Sequence, residues 1–543
     1  MEFLMKVSGP MATLWHGGTF YTMKIENEKV EAVLTDKGVI KAIGNIADLE
    51  KKYQSEIVGR VNIHGGFAYP GFVDSHLHMI GYGERLLRLD LSEVQSAMKM
   101  KKLLLEKVNE AKEGEWIIGE GWNENNFSDR KIFHFTELDE MAPNNPMLLK
   151  RICRHALLAN SKAMELANVK EETVDPQGGV IVRDTNGQPT GYFLDEAQEL
   201  IKKVVPEDSA DYLHKALTKS IDDMFQLGLV GGHTEDLSYY GSPDRPLHAF
   251  RQVIDGHSRK FRAHLLVHHQ VAETVDKNLS RLFDNHPYIE LGAVKVFADG
   301  ALGGRTALLS NPYNDAPDTN GVAIHSQEDL DEIVKVARSM KKPVAIHVIG
   351  DLAVEHALNA IEKYPLVGEL PDRLIHVQVL RKELMERMKK LPLILDIQPS
   401  FVATDFPWVE ERLGYDRLSF SFAWKTLMNY GLICAGGSDA PIESVNPLLG
   451  IHAAVTRRKV TEDHGGYLPE QKLTMFEAIQ LYTTGSAAAI NAQEHRGLIQ
   501  EGFLADFTIL EKDLFQLKGN DILEAKPLMT VVDETIMYDQ RRD

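Results

Sequence analysis

From Pro70 to Asp439 the chain repeats one texture: a short apolar run, then a longer amphipathic stretch. The runs are PGFVDSHLH (70–78), GLVGGHTE (228–235), FRAHLLVHH (261–269), IELGAVKVFADG (289–300), PVAIHVIGD (343–351), RLIHVQVL (373–380), LILDIQPSF (393–401) and LICAGGSD (432–439). Each has the length of a buried strand, and helical patterns such as QEDLDEIVKVARSM and GDLAVEHALNAIEKY separate several of them. Eight buried strands alternating with helices predict an α/β fold, a (β/α)8 TIM barrel, whose active site lies at the C-terminal ends of the strands.

The two ends of the chain read differently. ATLWHGGTFYTM, VEAVLTDKGVIKAIG and EIVGRVNIHGG alternate apolar and polar residues between Gly- and Asp-containing turns, and GLIQEGFLADFTILEKDLF and TVVDETIMYD have the same texture. They predict one small β-sandwich domain built from both termini, with residues 1–66 as its N-terminal part and 491–543 as its C-terminal part. The barrel then occupies 67–490. Its first βα connection is far longer than a few residues plus a helix. That connection, about residues 100–205, carries strands and helices of its own and predicts a subdomain inserted after the first barrel strand, on the face where lids and specificity walls form.

Composition changes the picture by exclusion. A chain of 543 residues with 43% hydrophobic and 26% charged residues is an ordinary globular protein too large for one small core. Its net charge of −19, without a long basic run, speaks against nucleic acid or an anionic membrane as the main partner. Two cysteines, Cys153 and Cys434, build no disulfide framework, so a reducing, cytoplasmic setting is expected. No apolar stretch is long enough to span a bilayer, and the N-terminus lacks the pattern of a signal peptide. Met11 serves equally well as a start.

Candidate chemistry collects at the ends of the predicted strands: His76 and His78 on the first, Lys295 on the fourth, His347 on the fifth, His376 on the sixth and Asp439 on the eighth. His76 and His78 share a face, because side chains alternate along a strand. Each residue alone has a plainer reading: a hydrogen-bonded buried histidine, a lysine paired with Asp299, an aspartate capping a turn. Six at one end of successive strands favour a metal site. Four histidines and an aspartate suit Zn2+ or a similar divalent ion. An ammonium cannot ligate, so Lys295 joins only as a neutral amine or as N6-carboxylysine, whose two oxygens could bridge two cations. Two cations would polarise a scissile carbonyl and acidify a bridging water, and Asp439 would carry the proton to the leaving amine. With Lys295 unmodified, a one-metal site remains workable.

PGFVDSHLHM, VKVFADGALGGRTA, AIHVIGDLAV, RLIHVQVL, DIQPSF, GGSDAPIESVNPLLGIHAAVTRR and the tail from LTMFEAIQLYTTGSAAAI to RGLIQEGFLADFTIL together resemble the amidohydrolase superfamily. The resemblance is narrower to its amidohydrolase-3 group, which contains YtcJ-like proteins and N-substituted formamide deformylases, and it spans nearly the whole chain. It implies that His76 and His78 bind the first metal and His347 and His376 the second, with one or two metals per chain. It also implies that Lys295 bridges where carboxylated, that Asp439 is general base and often a ligand, and that Gly497, Gly502 and Asp506 are structural. One departure is Ile375, where similar proteins often carry Glu.

The expected activity is metal-dependent hydrolysis of a carbon–nitrogen bond in a small-molecule substrate, a non-peptide amide such as an N-substituted formamide or N-acyl amine. The same machinery could serve a cyclic amide, a deaminated heterocycle or an ester, and a scaffold without catalysis should have lost one of the six residues. Homo-oligomers are common among similar proteins. Arg305 could hold a polar substrate group or form a structural ion pair. Trp122, Asn123 and His155 resemble pocket-wall positions or pack the insertion; Gln378 and Gln398 point to the same barrel end. Asp351 orients His347 or caps the next helix.

Overall fold

The computed structural model describes residues 12–152, 155–206, 209–368 and 370–542. Met11 and Cys153 lie outside them. The chain divides into two compact units, one made of residues 12–82 and 220–542, the other of Gly83–Lys219.

The first unit holds an eight-stranded all-parallel sheet: β1 (Phe72–Leu77), β2 (Leu229–Thr234), β3 (Arg262–His268), β4 (Ile289–Phe297), β5 (Val344–Val348), β6 (Asp372–His376), β7 (Leu393–Ile397) and β8 (Ile433–Gly436). Each strand pairs in parallel with the next in chain order. Just past β8, Asp439 N donates to His76 O at 2.7 Å and His78 N donates to Ala440 O at 2.8 Å, which brings the last strand back to the first. This is the (β/α)8 barrel expected from the strand pattern. The helix Gln327–Ser339 illustrates the local logic: Ser326 accepts from Asp329 N at its start, and Leu330, Val334 and Ala337 bury one face at helical spacing. Inside the barrel Leu266, Ala293, Ala345 and Ile375 pack as one buried cluster.

Two further sheets of this unit combine both ends of the chain. One orders Val39–Gly44, Ala32–Asp36, Ala12–His16 and Ile57–Asn62; the other runs from Thr535–Asp539 through Phe507–Leu510 and Phe67–Pro70 to Lys29–Val30. Trp15, Phe20, Ile63, Phe507 and Val531 fill the core between them. The N-terminal share reaches Pro70 rather than residue 66, because Phe67–Pro70 pairs antiparallel with Phe507–Leu510. Thr508 ties this sheet to the barrel, accepting from Phe72 N at 2.8 Å and donating to Gly228 O at 2.7 Å. Asp506 takes both arms of the buried Arg262 at the foot of β3, and Gly497 and Gly502 adopt φ of 90° and 87°, conformations open to glycine.

The second unit carries a six-stranded mixed sheet ordered Gly179–Arg183, Pro189–Asp195, Ala156–Ala159, Met147–Arg151, Ile117–Trp122 and Leu89–Asp90. It is wider than residues 100–205, since Leu89–Asp90 already pairs with Ile117–Trp122. Among the described residues no helix is long and apolar enough to cross a membrane.

Candidate metal centre

The site grows from the seam where β8 meets β1. Asp74 accepts from His76 N at 3.0 Å with one oxygen and from Ser438 N at 3.0 Å with the other, pinning the loop after β8 to β1. Burial raises its pKa to about 7. Gly437 permits the close approach: a Cβ there would lie 2.6 Å from His76 N. The loop then turns through Asp439, at φ 58°, and delivers its carboxylate to the histidines. Asp439 Oδ1 lies 3.5 Å from His76 Nε2 and 3.4 Å from His78 Nε2. One ligand atom from each of the three residues falls within 4.8 Å of the others.

The other strand-end residues converge on this triad. Lys295 Nζ is 3.4 Å from His76 Nε2 and 4.2 Å from the Phe297 ring centroid. The His376 ring lies 5.6 Å from that of His76 and 4.5 Å from that of His347. Lys295 is completely buried, and His76 and His376 nearly so.

Three of the four imidazoles are held so that one nitrogen stays available, while the buried His76 Nδ1 has no hydrogen-bond partner among the described residues. His78 Nδ1 is 2.5 Å from Glu235 O, and His376 Nδ1 is 2.8 Å from Gln398 Oε1, which leaves Nε2 of each ring. His347 Nε2 is 2.9 Å from Gly300 O, which leaves Nδ1. Such partners fix tautomers and ring orientation in metal sites. Burial drives the pKa of His76 and His347 well below the ordinary value and that of His376 to about 4, so all three are neutral lone-pair donors at pH 7. His78 differs: burial acts to lower its pKa, but the hydrogen bond and charge of Asp439 outweigh that and raise it to about 9. Asp439 is held below its ordinary value: burial acts to raise it, and His78, His376 and Lys295 overcome that. Burial likewise lowers the Lys295 amine against the pull of Glu235 and Asp439. Imidazoles beside a carboxylate, three of them oriented from behind, form a donor set that fits a divalent cation.

The remaining sequence candidates have other partners. Asp351 takes Ser310 N at 2.9 Å and Arg381 Nε at 2.9 Å; the carboxylate beside His347 belongs to Asp299, whose Oδ1 is 3.6 Å from Nε2. Asp299 also accepts the backbone N–H groups of Leu308, Ile349 and Gly350, so it is not the partner of Lys295. Arg305 makes a bidentate ion pair with Asp315. Trp122 is 1% exposed and donates to Leu149 O within the core of the second unit, which favours the packing role of the two readings. Asn123 caps a short turn through Asn125 N, and His155 pairs on the surface with Asp195. Gln378 is buried and donates to Asp405 at 3.4 Å. Ile375, in place of an acid, belongs to the apolar cluster inside the barrel.

Sequence reasoning passed over Glu235 and Tyr239. Glu235 is fully buried; its carboxylate is 3.9 Å from His78 Nδ1 and accepts from Tyr239 OH at 2.5 Å. The signal was an acid at the very end of an otherwise apolar strand, GLVGGHTE.

Residues 60–538 match the model of a family described as the amidohydrolase family. The chain is 48% identical to "Putative amidohydrolase YtcJ" of Bacillus subtilis (strain 168) over 98% of this chain and all of that protein. It is 24% identical to the N-substituted formamide deformylase of Arthrobacter pascens, over 96% of this chain and 97% of that one. Among solved structures, an uncharacterized metal-dependent hydrolase from Pyrococcus horikoshii OT3 superposes with a TM-score of 0.75 at 28% identity, covering 93% of this chain and 99% of the other.

Proposed function

The chain belongs to the amidohydrolase family, and from that premise we propose that it is a metal-dependent hydrolase cleaving the carbon–nitrogen bond of a non-peptide amide in a small molecule. The observation that carries this reading is the convergence of His76, His78 and Asp439 at the C-terminal end of the barrel, with Lys295, His347 and His376 around them. His76, His78 and Asp439 would hold a first divalent cation, zinc by donor type, and His347 and His376 a second. Such a cation supplies Lewis acidity, polarising the scissile carbonyl and acidifying water.

The residues supply the rest. Asp439, ionised beside His78, accepts a proton from the attacking water as its oxygen bonds the carbonyl carbon, and returns that proton to the nitrogen as the carbon–nitrogen bond breaks. Glu235 O and Gln398 hold the imidazoles of His78 and His376 in place. Likeness to the deformylase supports an N-substituted formamide or a related N-acyl amine as the substrate class.

The test is metal content by elemental analysis, on protein purified without chelator and again after reconstitution, together with hydrolysis of a panel of N-substituted formamides. About two equivalents per chain support Lys295 as a bridging N6-carboxylysine. About one assigns Lys295 to an ion-pair role. No metal after reconstitution sinks the reading. Asp439→Asn should abolish hydrolysis, with kcat falling at least about 100-fold by loss of the general base.

A further inference from the structure

A second group of histidines stands outside the centre described above. His269 follows the last residue of β3, and His325 lies in the loop after β4, which is anchored by Ile324 N donating to Ala298 O at 3.0 Å. Their rings meet edge to face, 86° apart, with centroids 5.1 Å from each other.

Both rings present a nitrogen without a hydrogen-bond partner among the described residues: His269 Nδ1 and His325 Nε2, each shielded from solvent. His269 donates with its other nitrogen to the backbone carbonyl of Lys295. A proton on Nε2 fixes the tautomer and leaves the lone pair of Nδ1 free, the arrangement by which a carbonyl behind an imidazole prepares it as a ligand.

The spacing fits one ion. With zinc–nitrogen bonds of about 2.0–2.1 Å, the metal sits about 3.2 Å from each ring centroid, and a tetrahedral angle then separates the centroids by about 5.2 Å. Ring pairs at the barrel mouth span 4.5 to 5.7 Å, and the His269–His325 pair falls inside that range. The neighbouring groups leave the two nitrogens alone: His268 Nδ1 is occupied by Gln270 N, and Asp329 by Ser326.

We propose that His269 and His325 form a second metal site, a two-imidazole clamp for a borderline divalent cation such as Zn2+, Cu2+ or Ni2+, completed by water. Imidazole donors without a carboxylate select such ions over Mg2+ or Ca2+. The site is distinct from the barrel-mouth cluster in residues, and His268, whose ring lies 4.6 Å from that of His269, stands between the two.

The experiment is a Cu2+ titration of the holoprotein followed by electron paramagnetic resonance, with elemental analysis confirming that the resident metal stays in place. The expected result is about one further equivalent of Cu2+ with hyperfine structure from two imidazole nitrogens. That signal should disappear in His325→Gln and in His269→Gln, while His78→Asn, which weakens the barrel-mouth site, keeps it. A wild-type protein that binds no further Cu2+ with two-nitrogen hyperfine overturns the proposal, and this arm needs no variant to fold. A His325→Gln protein that melts with the wild type and retains the signal overturns it as well.

Discussion

At the scale of single residues, the centre depends on side chains that would never touch a metal themselves. Gln398 reaches His376 Nδ1 from β7, and nothing else among its described contacts holds that ring nitrogen. Gln398→Leu should weaken metal retention by about 10- to 100-fold, the usual cost of losing the partner behind a ligand, read by competition with a chelator. A different, half-exposed residue contributes to acid stability. Burial acts to raise the pKa of Glu290 from 4.5, but His264 and Arg496 outweigh it and hold the carboxyl at about 2. A depressed carboxyl contributes stability that is complete above its unfolded value and lost as pH falls through the folded one. Wild-type protein should therefore lose this contribution between about pH 4.5 and pH 2, and Glu290→Gln should flatten that limb in denaturation followed by circular dichroism.

At the scale of elements, the seam between β8 and β1 sets the ligand geometry. Gly437 lies so close to β1 that any side chain must displace backbone rather than a flexible tip. Gly437→Ala is expected to cost about 1–3 kcal/mol, the range for overpacking a filled interior, and to lower metal content in parallel, because the displaced backbone carries His76 on one side and Asp439 on the other. A variant that loses stability but keeps its full metal load would show that the two histidines and Asp439 tolerate a looser seam.

At the scale of the whole molecule, the sandwich formed by both termini is bonded into the base of the barrel. Arg262 and Asp506 are a buried two-pronged ion pair joining β3 to the strand that follows Ala505. Removing one partner leaves the other charged and desolvated, so Asp506→Ala should destabilise the protein by about 3–5 kcal/mol in chemical denaturation. Arg262→Met/Asp506→Leu together should recover much of that loss, since apolar residues of similar volume often replace a buried pair at little cost.

What the sequence determined by itself was the periodic part of this protein. Eight apolar runs with helices between them predict a barrel, because buried parallel strands need both faces covered and eight of them are enough to close, and period-two alternation puts His76 beside His78. The ligand candidates were legible for the same reason: each sits late in an apolar run, and six of them fall at one end of successive strands. What only the tertiary structure decided is which polar groups stand behind them. Glu235, Asp299 and Gln398 reach their histidines through chain separations of 157, 48 and 22 residues, bridged by strand pairing that no local pattern encodes. Sequence proximity left Asp351 either to orient His347 or to start the next helix; it begins the helix Asp351–Lys363 and faces Ser310 and Arg381, while Asp299 comes in from the neighbouring strand. For Trp122 and Arg305 the sequence left two readings open, and packing favours the structural one, since a side chain's burial and its ion-pair partner are settled by residues distant in the chain.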